Sequence, residues 1–437
     1  MLAFVTMKHH AHGRAEIREA NPIKRALRIL GPGLITGASD DDPSGIGTYS
    51  MAGAALGFAT LWTAVVTLPL MVVVQYICGK IGMVSGQGLS AVLKDYYSRK
   101  WLYPAVLGLI IANTINAGAD IAAIAAAINM FVPLPILVLI FPVALIILAV
   151  QIWGSYRLIC RTFKWLTLTL FAYIGAAFLA KPNWGVVLRA TFLPTLRYDN
   201  QYLTTLVAIL GTTISPYLFF WQASEEVEEE IDMGRTRLDD RKGATNAELK
   251  TVMWDTVAGM IFCNVVFYFV ILAAASTLHA TGKTTIQSAS EAAEALRPVA
   301  GNAAALMFAL GIIGSGFLAV PVLTSSTGYA VAETVGFKYG LNEKPRRAKY
   351  FYGVIAISTL VGVMINFIGV NPITALFWTA VINGVVAPPL LLLIMLVSNN
   401  KNVMGNRVNN KFTNVIGWTA TAILFLAAGG MIATWGR

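Results

Sequence analysis

Apolar residues along the chain come in long runs separated by short polar connections. The run from Leu134 to Trp153 holds no charged residue, and neither does the run from Val257 to Leu278. About 18 or more consecutive apolar residues suffice to cross the ~30 Å hydrocarbon layer as a helix. Eleven such segments are predicted: Gly33–Phe58, Leu61–Met83, Leu102–Phe131, Leu134–Trp153, Leu158–Ala180, Tyr202–Ala223, Thr251–Thr277, Ala303–Val331, Phe351–Val370, Ile373–Val397 and Val415–Thr434. The pattern predicts an all-α membrane protein of about 11 transmembrane helices.

Nine of these segments read as ordinary apolar helices. The first carries Asp40-Asp41-Asp42-Pro43-Ser44-Gly45 in mid-span, and the sixth carries Gly211-Thr212-Thr213-Ile214-Ser215-Pro216-Tyr217. With five segments to each half, the two interruptions fall at corresponding places. Interrupted hydrophobic segments at corresponding positions point to an inverted-repeat transporter with its site at the breaks. The expected organisation is a tail over residues 1–30 and a single transmembrane transporter domain over 31–437. Within that domain, repeat one covers about 31–180, repeat two about 201–397, and an extra helix about 415–434.

Composition supports this picture. The chain is 57% hydrophobic and 12% charged, against about 25% charged in soluble domains. The net charge of +10 sits between the apolar runs, so it speaks for topology and not for nucleic acid. With the N-terminus in the cytoplasm, 26 of the 32 lysines and arginines fall on the inner side, as the positive-inside rule requires. That orientation puts the acidic stretch Glu225 to Asp240 inside and the C-terminus outside. Cys78, Cys160 and Cys263 lack the spacing of a disulfide framework or a metal site. The first twenty residues do not read as a signal peptide. No nucleophile–base pair or metal-hydrolase motif appears, so neither an enzyme nor a bound cofactor is expected.

The breaks carry the chemistry. Proline removes a backbone donor and glycine relaxes the helix. The freed carbonyls must be satisfied by something other than lipid. An ionised aspartate at membrane depth costs at least ~2.5–3.5 kcal/mol and needs a partner. Lysine, arginine and histidine are absent from the middle of the segments, which leaves an imported cation as the natural partner. Asp42, directly at the break, is the principal candidate; Asp40 and Asp41 are expected at a hydrated mouth. The second break offers backbone carbonyls from Gly211 to Ile214 and the hydroxyls of Thr212, Thr213, Ser215 and Tyr217. These ligands are all oxygens, which suit hard cations such as Mg²⁺ or Mn²⁺.

These residues resemble the Nramp family of divalent metal transporters over nearly the whole chain. Gly31-Pro32-Gly33 through Asp42-Pro43-Ser44-Gly45 is similar to that family's Gly-Pro-Gly lead followed by Asp-Pro-Gly-Asn. Gln75-Tyr76 with Gly86-Gln87-Gly88-Leu89 is similar to its second-helix pattern. Gly211 to Leu218 lies where the family carries Gly-Ala-Thr-Val-Met-Pro-His-Asn. The resemblance implies a LeuT-like fold with helices 1 and 6 broken. It assigns metal binding to Asp42 and to the carbonyl of Thr212. It also marks departures. Gly45 stands at the family's binding asparagine, and Ser215 at the methionine whose thioether favours softer metals. Tyr217 and Leu218 replace a histidine and an asparagine. In the third helix, Asp120 falls on a family glutamate and the neighbouring aspartate becomes alanine, with Asn116 close by. With these proton-path groups changed, the chain resembles the divergent Nramp-related branch, some of whose members carry Mg²⁺ without protons. A site without asparagine and methionine is expected to be roomier and to hold a partly hydrated ion.

The expected function is import of Mg²⁺ or Mn²⁺, with iron as a third candidate, across the inner membrane by alternating access. The candidate ligands are Asp42, Thr212, Ser215, Gly45 and Tyr217, and Asp120 with Asn116 forms a proton path or secondary polar site. The expected partners are the ion and the bilayer, with no nucleic acid and a monomeric state. Three alternatives stand beside this reading: an ordinary proton-coupled Mn²⁺/Fe²⁺ symporter, a LeuT-fold transporter of an organic amine or amino acid, and a metal-sensing receptor. The run Glu225 to Glu230 reads as a solvated continuation of helix 6. His9, His10 and His12 read as a tail, and Asn383 as helix–helix glue.

Overall fold

The computed structural model describes residues 32–154 and 168–435. His9, His10, His12, Cys160 and the start of the fifth predicted segment lie outside the described residues. Among these residues the chain is helical with no strand. Nine helical stretches are long and apolar enough to cross a membrane. They coincide with nine of the eleven predicted segments; of the other two, the first is split and the fifth is partly outside the described residues.

The first segment forms α1 (Pro32–Asp40) and α2 (Pro43–Leu56). The second is α3 (Trp62–Ser85), and a short α4 (Leu89–Tyr96) follows it. The third and fourth are α5 (Arg99–Asn129) and α6 (Ile136–Trp153), and Ala172–Leu179 forms α7. The sixth splits into α8 (Asn200–Thr213) and α9 (Pro216–Asp232). Then come α10 (Asn246–Thr277), α11 (Ala304–Val335), α12 (Lys349–Ile365), α13 (Pro372–Asn399) and α14 (Lys411–Thr434).

Polar caps mark several of the starts. The Asp199 carboxylate accepts the Tyr202 N–H at 2.8 Å at the start of α8. Thr245 and Glu248 form a reciprocal capping box on α10, satisfying two donors that the first turn leaves unpaired. The outward faces are apolar: Leu145, Ile357 and Leu426 are all exposed. In water such faces would be costly, and in a bilayer they meet hydrocarbon.

The broken helices sit at the centre. α10 runs beside both α1 and α2, α13 packs on α8, α9 packs on α3, and α11 packs on α5. Small residues allow the closest approaches. A Cβ on Gly37 would collide with the backbone of Gly259, so α1 and α10 touch main chain to main chain. One end of the bundle collects the basic connections. There Gly243 donates its N–H to the Val84 carbonyl, and Arg241 bonds the Gly86 carbonyl. Arg235 is gripped by Glu248 and by Glu230, and these bonds hold its guanidinium above its ordinary pKa.

The acidic run after the second break departs from expectation. The helix does continue through it, but Glu226, Glu228 and Glu230 are buried. Gln222 donates to Glu226 at 2.9 Å, Tyr329 donates to Glu228 at 3.3 Å, and Arg235 pairs with Glu230 at 2.8 Å. Local polar neighbours together with Tyr329 of α11, a partner invisible in a local charge run, turn a solvated face into a packed one.

Candidate functional site at the paired breaks

Asp42 is the N-cap of α2, with extended backbone (φ −68°, ψ 166°). Pro43 follows at the first helical position, where its missing N–H removes no helical bond. The Asp42 carboxylate accepts the Gly45 N–H at 2.6 Å and the Ser44 hydroxyl at 2.9 and 3.0 Å. α5 supplies the rest. Asn116 donates Nδ2 to Asp42 Oδ2 at 3.1 Å, and Asp120 Oδ1 accepts the Ser44 N–H at 3.1 Å. The four-residue spacing puts Asn116 and Asp120 on one helix face. Asp120 thus bonds across to the first break and not to Asn116. Two carboxylates converge on the N-terminus of α2, where unpaired N–H groups and the helix dipole favour negative charge.

At the second break, Ile214 (φ −120°, ψ 61°) and Ser215 (φ −76°, ψ 131°) leave the helical path before Pro216 starts α9. The Ser215 hydroxyl does not cap α9. It turns back and shares its hydrogen between the carbonyls of Thr212 (2.7 Å) and Gly211 (3.0 Å). With Gly211 still available to accept it, the Thr212 carbonyl can turn to another partner.

Gly45 joins the two breaks. A Cβ there would lie 3.0 Å from Thr212 Oγ1, 3.1 Å from Asp42 Oδ1 and 3.3 Å from the Asp40 carbonyl oxygen. Hydroxyl, carboxylate and carbonyl oxygens therefore surround one point. The expected roominess does not appear, because the first turn of α2 packs straight onto the end of α8. Tyr217 lies just beyond, donating its hydroxyl to the Ser39 carbonyl at 2.9 Å while its own carbonyl accepts Ser326 Oγ at 2.8 Å.

Asp40 and Asp41 are not hydrated. They are 2% and 1% exposed, because α10 covers this side of the break. Cys263 of α10 is a close neighbour of Asp40, and its thiol donates to the Met260 carbonyl at 3.3 Å. That thiol is a neighbour the sequence pattern could not pair with the first break. It engages Asp40 and not Asp42. Both oxygens of Asp41, Oδ1 of Asp40 and Oδ2 of Asp120 lack a hydrogen-bond partner. No lysine or arginine among the described residues pairs with any of the four acids. Buried carboxyls without a base make a strongly cation-seeking locus. Among the described residues, no three His, Cys, Asp or Glu side chains form a ready-made metal cage. A cation here would draw on carbonyls and hydroxyls beside Asp42.

Asn383 was expected to glue helices together, yet its Oδ1 is buried without a partner. It stands on α13 between Ala380 and Gly384, the two residues whose backbones crowd Gly211. Its sequence signal, one amide in an apolar run, gave no hint of nearness to the second break.

The site is buried from solvent. Asp42, Asn116, Asp120, Thr212, Ser215 and Tyr217 are each at most 1% exposed. Towards the basic end, α1 is tied down. Thr36 Oγ1 donates to Gln222 Oε1 at 2.6 Å, and the Gly33 N–H donates to Asp255 at 2.7 Å.

Comparison with known proteins places this geometry. The family described as natural resistance-associated macrophage protein-like, Nramp, matches residues 33–434. A divalent metal cation transporter, MntH, of Klebsiella pneumoniae (strain 342) is 25% identical over 424 residues, covering 95% of each chain. The manganese transporter of Eremococcus coleocola superposes with a TM-score of 0.71 at 17% identity, covering 96% of this chain and 88% of that one. The inward-facing structure of Mhp1 gives a TM-score of 0.53 at 13% identity, covering 92% and 90%. The two structural likenesses concern the fold.

Proposed function

The chain belongs to the Nramp family, and on that premise we propose that it imports a hard divalent cation, Mn²⁺ or Mg²⁺ ahead of iron, by alternating access. The observation that carries this reading is the convergence on Gly45 of the Asp42 carboxylate, the Thr212 hydroxyl and the Asp40 carbonyl, amid four buried acids with no basic partner among the described residues. Asp42 supplies the charge and Asn116 orients it. The Thr212 carbonyl becomes a ligand when the Ser215 hydroxyl swings to Gly211. An oxygen-only set at Asp42 does not select soft metals. Charge favours inward movement: a divalent ion gains roughly 4.6 kcal/mol per 100 mV of membrane potential.

The basic end faces the cytoplasm of the inner membrane in this reading, following the positive-inside rule. Opening towards it requires α1 to part from Gln222 and Asp255. Position 217 carries a phenol that donates to the Ser39 carbonyl at 2.9 Å in place of an imidazole, the usual proton shuttle, so the ion does not depend on a histidine relay there. The test uses purified protein in liposomes, with Mn²⁺, Mg²⁺ and Ca²⁺ entry followed and interior pH recorded. Entry of Mn²⁺ and Mg²⁺ without matching acidification is expected. Absence of all divalent flux refutes the transport reading, and acidification in step with metal entry refutes the uncoupled one.

A further inference from the structure

The basic end of the bundle holds a cavity of about 440 Å³ where the end of α3, the 242–244 turn and the 401–407 connection meet. Lys242, Lys401 and Arg407 line it together with the amides Gln87, Asn402 and Asn406, and among the described residues no aspartate or glutamate does. Behind Arg407 stands a second oddity. Lys80 is 4% exposed, and its Nζ donates to the neutral amide of Asn409 at 2.8 Å. Arg407 lies within electrostatic range of it and itself bonds an amide, that of Asn246. Lys242 has an exposed partner, Asp239, at 3.6 Å. Among the described residues no carboxylate pairs with Lys80, Lys401 or Arg407. Two neighbouring like charges, each bonded only to a neutral amide of its own and one of them buried, are repulsive unless an anion joins them.

The surroundings indicate which anion. Phe412 and Val415, at the start of α14 just past the 401–407 connection, are exposed apolar side chains of the lipid-facing surface. Tyr96 lines the cavity and is itself partly exposed, and Trp101 is exposed one short turn further on. Aromatic residues of this kind mark the headgroup level of a bilayer. The cavity therefore lies where lipid phosphates lie.

We propose that this cavity is a binding site for the phosphate headgroup of an acidic phospholipid, held by Lys401, Arg407 and Lys242. Bound there, the lipid joins α3 to the connection leading into α14 and neutralises the Lys80–Arg407 pair. Basic pockets at this membrane face gain about 1 kcal/mol, or fivefold in affinity, for each cation near an anionic headgroup.

The test uses the full chain purified in neutral detergent and titrated with phosphatidylglycerol or phosphatidylcholine. Retained lipid is counted by native mass spectrometry, and melting is followed in parallel. Phosphatidylglycerol should be retained on the order of 100-fold more tightly than phosphatidylcholine, about fivefold for each of the three cations, and should raise the melting temperature. The Lys401→Gln/Arg407→Gln double variant should lose about fivefold in phosphatidylglycerol affinity per charge removed, with phosphatidylcholine unaffected. Should that variant fail to fold, wild-type protein in about 0.5 M salt provides the same test, because screening should erase the preference. Equal retention of the two lipids overturns the proposal, as does a preference that survives both the double variant and salt. Inorganic phosphate alone reproducing the stabilisation, with no lipid retained, overturns the lipid assignment.

Discussion

Replacing Ser215 by methionine tests the ligand argument through a ratio and not through a loss. The Ser215 hydroxyl bonds the Thr212 and Gly211 carbonyls at 2.7 and 3.0 Å in a fully buried setting. Removing it leaves a buried acceptor unsatisfied, at about 1–3 kcal/mol. The longer side chain adds overpacking of about 1–3 kcal/mol. Together these put the expected loss at roughly 2–6 kcal/mol, a large share of an ordinary protein's net stability. Absolute flux is thus a poor readout, since yield and flux fall for reasons unrelated to selectivity. The ratio of Mn²⁺ to Mg²⁺ kcat/KM in liposomes cancels them. Ser215→Ala serves as control: it removes the same hydroxyl and adds no sulfur. A thioether beside Asp42 adds a soft donor that Mn²⁺ accepts better than Mg²⁺. The Mn²⁺/Mg²⁺ ratio of Ser215→Met should exceed that of Ser215→Ala by on the order of tenfold, or about 1.4 kcal/mol. Equal ratios in the two variants would refute the assignment of position 215 to the ion's coordination shell.

Two further outcomes follow from the same geometry. Gly45→Asn, which restores the residue typical of the resembling family, should lower the unfolding free energy by about 1–3 kcal/mol. Its Cβ starts 3.0–3.3 Å from three polar oxygens, and thermal melting reads the loss; an unchanged melting temperature would show that the breaks are looser than described. Gln222→Leu removes the acceptor of Thr36 and the donor to Glu226. Only the Thr36 bond reaches α1, the Glu226 bond lying within α9, so at about 1 kcal/mol per bond the closed state should lose about 1 kcal/mol. A cysteine placed at Ser39 should then react with a water-soluble thiol reagent about fivefold faster; an unchanged rate argues against Gln222 as a tie on α1.

Much of this was legible in the chain itself. The helix count, the two breaks and the position of Asp42 follow from hydrophobic runs and from proline and aspartate chemistry, which act locally. The role of Asn116 was half legible: its polarity in an apolar helix was evident, but its bond to Asp42 depends on how α5 meets the first break. What failed depended on contacts between distant segments. Asp40 and Asp41 read as hydrated because nothing local covers them, and α10 buries them. Cys263 read only as a cysteine outside any disulfide or metal-site spacing until the fold set it beside Asp40. Gly45 read as a missing side chain that leaves space, whereas the two breaks close around it. In the run after helix 6, Glu228 read as solvated until Tyr329 of α11 was placed against it.

The central claim is that the Asp42 charge carries the ion, and Asp42→Asn isolates that charge. Asparagine is an equally good N-cap and can still accept the Gly45 N–H now bonded at 2.6 Å, so the break should persist and the melting temperature should move little. Mn²⁺ and Mg²⁺ entry into liposomes should each fall by at least about 100-fold, or about 2.7 kcal/mol. A folded Asp42→Asn protein that carries either ion at the wild-type rate would contradict the account.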